Sequence, residues 1–359
     1  MVRLDQPRAE TDDSLSNDVG LADIRPDIRA EISRLGELKQ YQSLELTELD
    51  PGSERILAFL LEHLREDKAH DAGHALRMLS TVRLQSTAIG WPKDEGTVAR
   101  QTQQTLVHDI GYAVYPGDRG LEHCAAGAGL VQTWGPAWGI AAEDQLPLAR
   151  ACRLHDVHKY AGQPGYLSEC AAEHAAVEAG ILTLQQENPP EYTELLMVIF
   201  ADLLDQGGRE GVHRSLNFQN RKTSAARGQA MRYLNGTEPN VTLKDDCAVS
   251  NAIYWAYAPY RNLEENAGLR QLLTGEAAGT VDHTYGERWI YLFEQARGVA
   301  ADNFLRAVEE INRITHVMRS RDDAGRVSPA EYRRGKDYDP LRDPYVSAAV
   351  KARLRETRV

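Results

Sequence analysis

The sequence predicts an all-α protein, and two observations support this. Apolar residues recur three and four positions apart from about Ile56 to about His316, which is the spacing of one face of an α-helix. No stretch shows sustained alternation of polar and apolar residues, the pattern of a half-buried β-strand. We therefore expect a helical bundle with a helical C-terminal extension.

The first half of the chain is expected to form a helical core over residues 21–206, after a disordered, acidic leader over 1–20. The apolar residues from Ile24 to Leu49 show weak helical spacing. The segment Asp50-Pro51-Gly52-Ser53 predicts a turn and the start of a helix. Helix-breaking residues then predict where further helices end. These breaks are Gly90-Trp91-Pro92, Tyr115-Pro116-Gly117, Gly135-Pro136, Gln163-Pro164-Gly165 and Pro189-Pro190.

Residues 207–318 are expected to form a mostly helical extension. Within it, segment 209–280 is mixed and predicted to be rich in loops, with the aromatic stretch 253–260 in a core. A long amphipathic helix is predicted over about 285–318, and 319–359 form a charged tail. The apolar face of that helix carries Trp289, Phe293, Ala296, Ala300, Phe304, Ala307, Ile311 and Ile314.

Composition narrows the classes of function. The net charge of −12 argues against broad nucleic-acid binding, although a small anionic substrate is compatible with a locally positive metal site. No apolar run approaches the roughly 18 residues of a membrane span. The four cysteines are widely spaced and show no C-x-x-C pair, which argues against disulfides or a thiolate zinc site. We expect a cytoplasmic protein, with a homo-oligomer left open.

Seven of the eleven histidines fall between His70 and His174. His108 and Asp109 are adjacent, about 100° apart on a helix, so both can border one site. Asp202 lies in the apolar run 195–204, where an isolated carboxylate would carry a penalty of several kcal/mol. A bound divalent metal removes that penalty. A buried Arg or a helix N-terminus would also remove it, but the run supplies neither.

The order of these residues resembles that of the HD-domain superfamily of metal-dependent phosphohydrolases and related di-iron oxygenases, over about residues 55–206. His74-Ala-Leu-Arg77 is similar to the family's first ligand helix, and Leu106-Val-His-Asp-Ile-Gly111 resembles its core pattern. His123-x-x-x-Gly127-Ala128 and Ala201-Asp202-Leu-Leu-Asp205 resemble its later helices. The chain departs from the family at Tyr112, where many members carry Lys.

The resemblance implies a metal site and its ligands. His74, His108, Asp109 and Asp202 would hold a first metal, while His123 and His155 would add a second, with Asp109 bridging. Imidazole and carboxylate ligands suit Fe or Mn, with Co, Ni or Zn possible. Asp109, His158 and Lys159 are expected to be catalytic. Arg77, Lys159 and the basic residues Arg221 and Lys222 are expected to contact the substrate, although a solvated face is an equal alternative for the last two.

Three functions follow from the resemblance. The first is hydrolysis of a nucleotide or other small phosphate ester, in which His158 would protonate the leaving oxygen. The second is a mixed-valent di-iron oxygenase that cleaves a C–C or C–P bond, which Tyr112 slightly favours. The third is a regulatory nucleotide sensor, against which the intact ligand set argues.

Several histidines have alternative interpretations. His70 is an alternative to His74, one turn earlier on the same face. His158 can instead lie behind the ligands or be exposed, and His174 is expected to be structural or to lie behind the ligands. The remaining histidines are expected to have no role in the site: His63, His213, His283 and His316.

Overall fold

The described part of the chain is helical throughout. A computed structural model describes residues 24–64, 70–115, 121–160, 167–209, 211–212, 246–276 and 283–322, with a few positions beyond 340. It contains no β-strand in these ranges, which confirms the all-α prediction. The helices are α1 (Pro26–Glu37), α2 (Pro51–His63), α3 (Ala72–Ala88), α4 (Glu95–Val107), α5 (Glu122–Trp138), α6 (Ala142–Leu154), α7 (Val157–Tyr160), α8 (Leu167–Glu187), α9 (Pro189–Gln206), α10 (Asp246–Glu265), α11 (Ala267–Leu273) and α12 (His283–Asp322).

Short polar side chains start the helices that matter for the site. The Asp50 carboxylate accepts hydrogen bonds from the backbone N–H groups of Gly52 and Ser53, as its sequence context predicted. Asp71 caps α3 in the same way by accepting from the N–H of His74, at 3.1 Å. Asn188 caps α9, and Pro189 occupies its first position. These caps fix the entry points of α2, α3 and α9.

One predicted break is wrong. Gly135 and Pro136 lie inside the last turn of α5, which continues to Trp138. The helix ends instead at Gly139, whose φ of +77° favours glycine. Pro136 removes one backbone donor from the helix, which nevertheless continues to Trp138. The break at Gln163-Pro164-Gly165 lies outside the described residues.

Two hydrophobic clusters make up the core. The first joins α1 to α6 and includes Ile56, Leu57 and Leu76. The second joins α8 to α12 and includes Phe200 and Phe293. Helices α3, α5 and α6 contribute to both clusters, because different faces of each helix point to different sides. Helix α9 packs against α3, α8, α10 and α12. The candidate ligands are carried by or directly follow α3, α4, α5, α6 and α9.

The C-terminal extension is helical where it is described. The prediction of a long amphipathic helix is confirmed, since α12 spans His283–Asp322 and its predicted apolar residues from Trp289 to Ile311 are buried. The aromatic stretch is core as predicted for residues 256–260. The prediction that 209–280 is rich in loops is wrong for 246–273, which forms α10 and α11 with a break at Asn266. Among the described helices, none has both the length and the apolar character needed to cross a bilayer.

Candidate metal centre

The ends of two helices place two histidine–aspartate pairs. Helix α4 ends at Val107, so that His108 caps it and Asp109 begins a 3₁₀ turn over Ile110–Ala113. The two residues therefore leave the helix at its end, rather than sharing a helical turn as predicted. Helix α6 ends in the same manner at Leu154, with His155 as its cap and Asp156 next. Both pairs are almost fully buried.

A close approach between two glycines brings His123 to the site. The 3₁₀ turn after Asp109 packs against α5, and a Cβ placed on Gly111 would lie 1.9 Å from the His123 carbonyl oxygen. A Cβ on Gly127 would lie 3.2 Å from the Gly111 nitrogen. Only a residue without a side chain fits at Gly111. Gly111 and Gly127 therefore allow the 3₁₀ turn to approach the backbone of α5 closely.

The first group of potential ligands consists of His74, His108, Asp109 and Asp202, all buried. The Nε2 atoms of His74 and His108 are 3.1 Å apart. The Asp109 Oδ2 atom lies 3.4 Å from His74 Nε2 and 3.2 Å from His108 Nε2. Asp202 Oδ1 is 3.4 Å from His74 Nε2. This is the set that the sequence assigned to a first metal.

The second group surrounds the other oxygen of Asp109. Asp109 Oδ1 is 3.1 Å from His155 Nε2 and 3.6 Å from His123 Nε2. Asp156 adds a carboxylate at 3.2 Å from His123 Nε2, and Cys124 places its sulfur 3.3 Å from the same nitrogen. One Asp109 carboxylate therefore faces two imidazoles with each of its oxygens. The six residues that the sequence predicted as ligands come together in one cluster.

Hydrogen bonds fix the proton position on three of the rings. His108 Nδ1 lies 2.7 Å from the Thr105 carbonyl oxygen, and His155 Nδ1 lies 2.9 Å from that of Cys152. His74 Nδ1 is 2.8 Å from Asp205 Oδ2, and that carboxylate is paired with Arg77. Because each of these oxygens only accepts, the Nδ1 atoms donate and the Nε2 atoms of the neutral rings carry lone pairs.

These lone pairs point at one another and at carboxylates. His74 Nε2 faces His108 Nε2, and His155 Nε2 faces Asp109, with no hydrogen between them when the rings are neutral. A cation among them converts this repulsion into bonding. Ligand atoms about 2.1 Å from one ion stand roughly 3.0–3.4 Å apart in octahedral or tetrahedral coordination. The separations given for the two groups run from 3.1 to 3.6 Å, within that range or slightly above it, so the donor set fits a metal ion.

The electrostatics agree with a site for cations. Burial on its own would raise the pKa of Asp109, but the surrounding imidazoles of His108, His155 and His74 hold that pKa well below its usual value. Burial lowers the pKa of His108, which keeps its ring neutral. Burial opposes protonation of His155 as well, yet the carboxylates of Asp156 and Asp109 raise its pKa. The centre therefore presents an ionised carboxylate and at least one neutral imidazole to an ion.

Arg77 has a different surrounding from the one predicted. Its guanidinium binds the Asp205 carboxylate with two contacts, from Nε at 2.8 Å and Nη2 at 3.0 Å. Asp205 also accepts from His74 Nδ1, so Arg77 contacts the carboxylate that holds the His74 ring, and its predicted contact with a substrate stays a prediction. Burial opposes the charged guanidinium, but Asp205 raises the Arg77 pKa above its ordinary value.

His158 lies beside the cluster, behind Asp202. Its Nδ1 atom donates to the His155 carbonyl oxygen at 3.2 Å, and its Nε2 atom accepts from the Gln206 side-chain amide at 3.2 Å. The same amide nitrogen donates to Asp202 Oδ2, also at 3.2 Å. Lys159 lies in α7, but the description does not extend to its side chain. Arg221 and Lys222 fall outside the described residues.

The choice of His74 over His70 is confirmed. The His70 ring stacks on Tyr112 with centroids 3.7 Å apart, whereas the His74 ring joins the cluster. Tyr112 stacks on its other side against His123, at 4.2 Å. Tyr112 therefore packs between His70 and His123, which is one of the predicted ligands. His174 is buried in α8 and belongs to none of the potential metal groups among the described residues.

Sequence reasoning did not assign roles to three residues of the site: Asp156, Asp205 and Gln206. Asp156 repeats the histidine–aspartate pair of His108-Asp109, a pattern that would have found it. Asp205 follows Asp202 by three positions, hence on nearly the same face of α9. Gln206 follows Asp202 by four positions and so lies on the same face of α9 as well.

No protein-family model matches the chain, and no curated protein or solved structure matches it either.

Proposed function

We propose that this chain is an HD-domain metal-dependent phosphohydrolase acting on a nucleotide or another small phosphate ester. The observation that supports this most is the Asp109 carboxylate, whose two oxygens each face a separate pair of imidazoles. Such a shared carboxylate is what a pair of neighbouring metal ions requires. Fe or Mn suits the imidazole and carboxylate donors best.

Each supporting residue has a defined task in this proposal. The Thr105 and Cys152 carbonyl oxygens and the Asp205 carboxylate keep the Nδ1 protons away from the site, so that the Nε2 atoms of His108, His155 and His74 point inward. Gln206 holds Asp202 and His158 together. His158 holds its proton at Nδ1 against a backbone carbonyl, which favours a positioning role over the predicted role as acid.

Two divalent ions held by these residues would lower the pKa of a water molecule and offset charge on a phosphoryl group. The protein would contribute orientation and the exclusion of bulk water, because the ligand side chains are between 0% and 6% exposed. With Arg77 engaged by Asp205, the predicted contact between the substrate and Lys159 gains in importance.

The test is a phosphoester screen with metal-loaded protein. Protein stripped by a chelator and reloaded with Mn²⁺ or Fe²⁺ is assayed anaerobically against nucleoside monophosphates, cyclic nucleotides and p-nitrophenyl esters. We expect metal-dependent phosphate or alcohol release, lost in Asp109→Ala and kept in His283→Ala, since His283 is exposed on α12. Turnover that Asp109→Ala retains would contradict the proposal.

A second candidate is a di-iron oxygenase, and one observation favours it. Tyr112 replaces the family's lysine and stacks on His123, so no cation from that position reaches a phosphoryl group. The two functions share their ligands and differ in their need for O₂. Consumption of O₂ that depends on a cyclitol or phosphonate substrate, with about two irons per chain, would select the oxygenase.

A further inference from the structure

We propose that Asp156 is a direct ligand of the second metal position, which makes the two positions equivalent in their donor sets. This inference rests on the proposed function, because it treats the buried cluster as a metal centre. The family pattern gives the second position only His123, His155 and the shared Asp109. In this chain a further carboxylate lies between the same two imidazoles.

The contacts of Asp156 support this assignment. Its Oδ2 atom is 3.2 Å from His123 Nε2, and its Oδ1 atom is 3.5 Å from His155 Nε2. Its side chain is 1% exposed. With His123, Cys124 and His155, Asp156 forms a buried group whose potential ligand atoms all lie within 4.8 Å of one another. A metal ion between the three groups satisfies all of them at once.

Cys124 competes for the same place, and its surroundings argue against it. Its sulfur contacts His123 Nε2, at 3.3 Å, whereas Asp156 contacts both imidazoles. Cys124 also borders a separate cavity of about 590 Å³, whose lining includes Val177 and Leu184 as well as Arg150 and Arg153. The thiol is thus shared between this cavity and the cluster, whereas the Asp156 carboxylate contacts the two imidazoles.

The extra carboxylate has a consequence for metal preference. Each position would then have two imidazoles, one carboxylate of its own and the shared Asp109, which makes four protein ligands. A tetrahedral ion such as Zn²⁺ would be fully coordinated by these, as in structural zinc sites. An octahedral ion such as Fe²⁺ or Mn²⁺ would keep places for water and substrate. The donor count thus favours the octahedral ions for catalysis.

Cobalt titration tests the assignment without an activity assay. Chelator-stripped protein is titrated with Co²⁺, and bound ions per chain are counted from the visible absorption of the protein-bound ion and by elemental analysis. We expect two ions for the wild type and one for Asp156→Asn, whose affinity for the second ion falls at least about tenfold. The one ion that Asp156→Asn retains shows that the variant has folded.

Two further variants serve as controls. Asp302→Asn changes an exposed aspartate on α12 and should bind two ions, as should Cys124→Ser. Asp156→Asn binding two ions with wild-type affinity would overturn the inference, and so would loss of the second ion in Cys124→Ser instead. If the wild type binds one ion, the inference of a second metal position is refuted, whereas hydrolysis at a mononuclear site is not. Two ions in the wild type and one in Asp156→Asn, without hydrolysis of any ester, would overturn the proposed function alone.

Discussion

Replacing Asp205 by alanine should weaken the first metal position although Asp205 is not itself a ligand. Its carboxylate accepts from His74 Nδ1 at 2.8 Å and from Arg77 Nε and Nη2 at 2.8 and 3.0 Å. Without it the His74 ring loses the partner that fixes both its tautomer and its orientation. Removing such a partner typically costs 10- to 100-fold in metal affinity, or about 1.4–2.7 kcal/mol.

The assay is competition for Mn²⁺ between the protein and a fluorescent chelator of known affinity. We expect Asp205→Ala to show the full 10- to 100-fold loss of Mn²⁺ affinity. Asp205→Asn should lose less, because its amide oxygen still accepts from His74. Arg77→Lys should also lose part of the Mn²⁺ affinity, because an ammonium group cannot reproduce the two-point contact of a guanidinium.

A matched control comes from the protein surface. Asp27 makes the same kind of two-point contact with Arg25, at 3.2 and 2.8 Å, but on exposed residues at the start of α1. Asp27→Ala should leave the Mn²⁺ affinity unchanged. If Asp205→Ala also bound Mn²⁺ within twofold of the wild type, the reasoning that His74 is a ligand held by Asp205 would be refuted.

Three further predictions follow from the packing around the centre. Gly111→Ala should destabilise the fold by about 1–3 kcal/mol or more in urea unfolding, because its Cβ would overlap the His123 carbonyl; stability equal to wild type would contradict the close approach. Asp202→Ala should lose metal in elemental analysis, while His283→Ala, at an exposed position, should keep it. Arg100→Ala should cost about 3–5 kcal/mol, because it leaves Glu194 buried without the two contacts of 2.7 Å. The double variant Arg100→Ala with Glu194→Gln should recover part of that loss in the same unfolding assay, and additive losses would argue against the pair.

Much of the fold was predictable because its signals are local. Asp50 and Asn188 precede prolines at helix starts, and the apolar spacing from Trp289 to Ile311 defines one face of α12. Such signals depend on residues within one or two turns of each other. The error at Pro136 also has a local cause, since a proline removes one hydrogen bond of a helix without always ending the helix.

The supporting residues were harder to predict because their partners are distant. Arg77 and Asp205 are separated by 128 positions, and His74 and Asp205 by 131. In the sequence, an arginine one turn from a predicted ligand is equally compatible with a substrate contact and with a structural role. Only the packing of α3 against α9 decides between them.

Asp156 could not be placed from periodicity for a different reason. Neighbouring residues point about 100° apart on a helix, so on a continued α6 the side chains of His155 and Asp156 would border the site from different directions. Helix α6 ends at Leu154, and the chain then turns. The Asp156 carboxylate contacts the His123 imidazole, and the His155 ring lies beside the same imidazole. No glycine or proline marks this end in the sequence.

The positions of the ring protons distinguish a metal centre from a buried polar network built only for stability. A stable network alternates donors and acceptors, so that one ring would turn its Nε2–H toward Asp109 or Asp202. Here the Nδ1 protons of His74, His108 and His155 are all directed outward, to a carboxylate or to backbone carbonyls. Acceptors then face acceptors at the centre, an arrangement that only protons or metal ions can stabilise. Burial lowers the pKa of His108, whereas the carboxylates of Asp156 and Asp109 raise the pKa of His155 against the effect of burial. A metal ion could therefore take the place of a proton at His108, in a group of side chains that could hold such an ion.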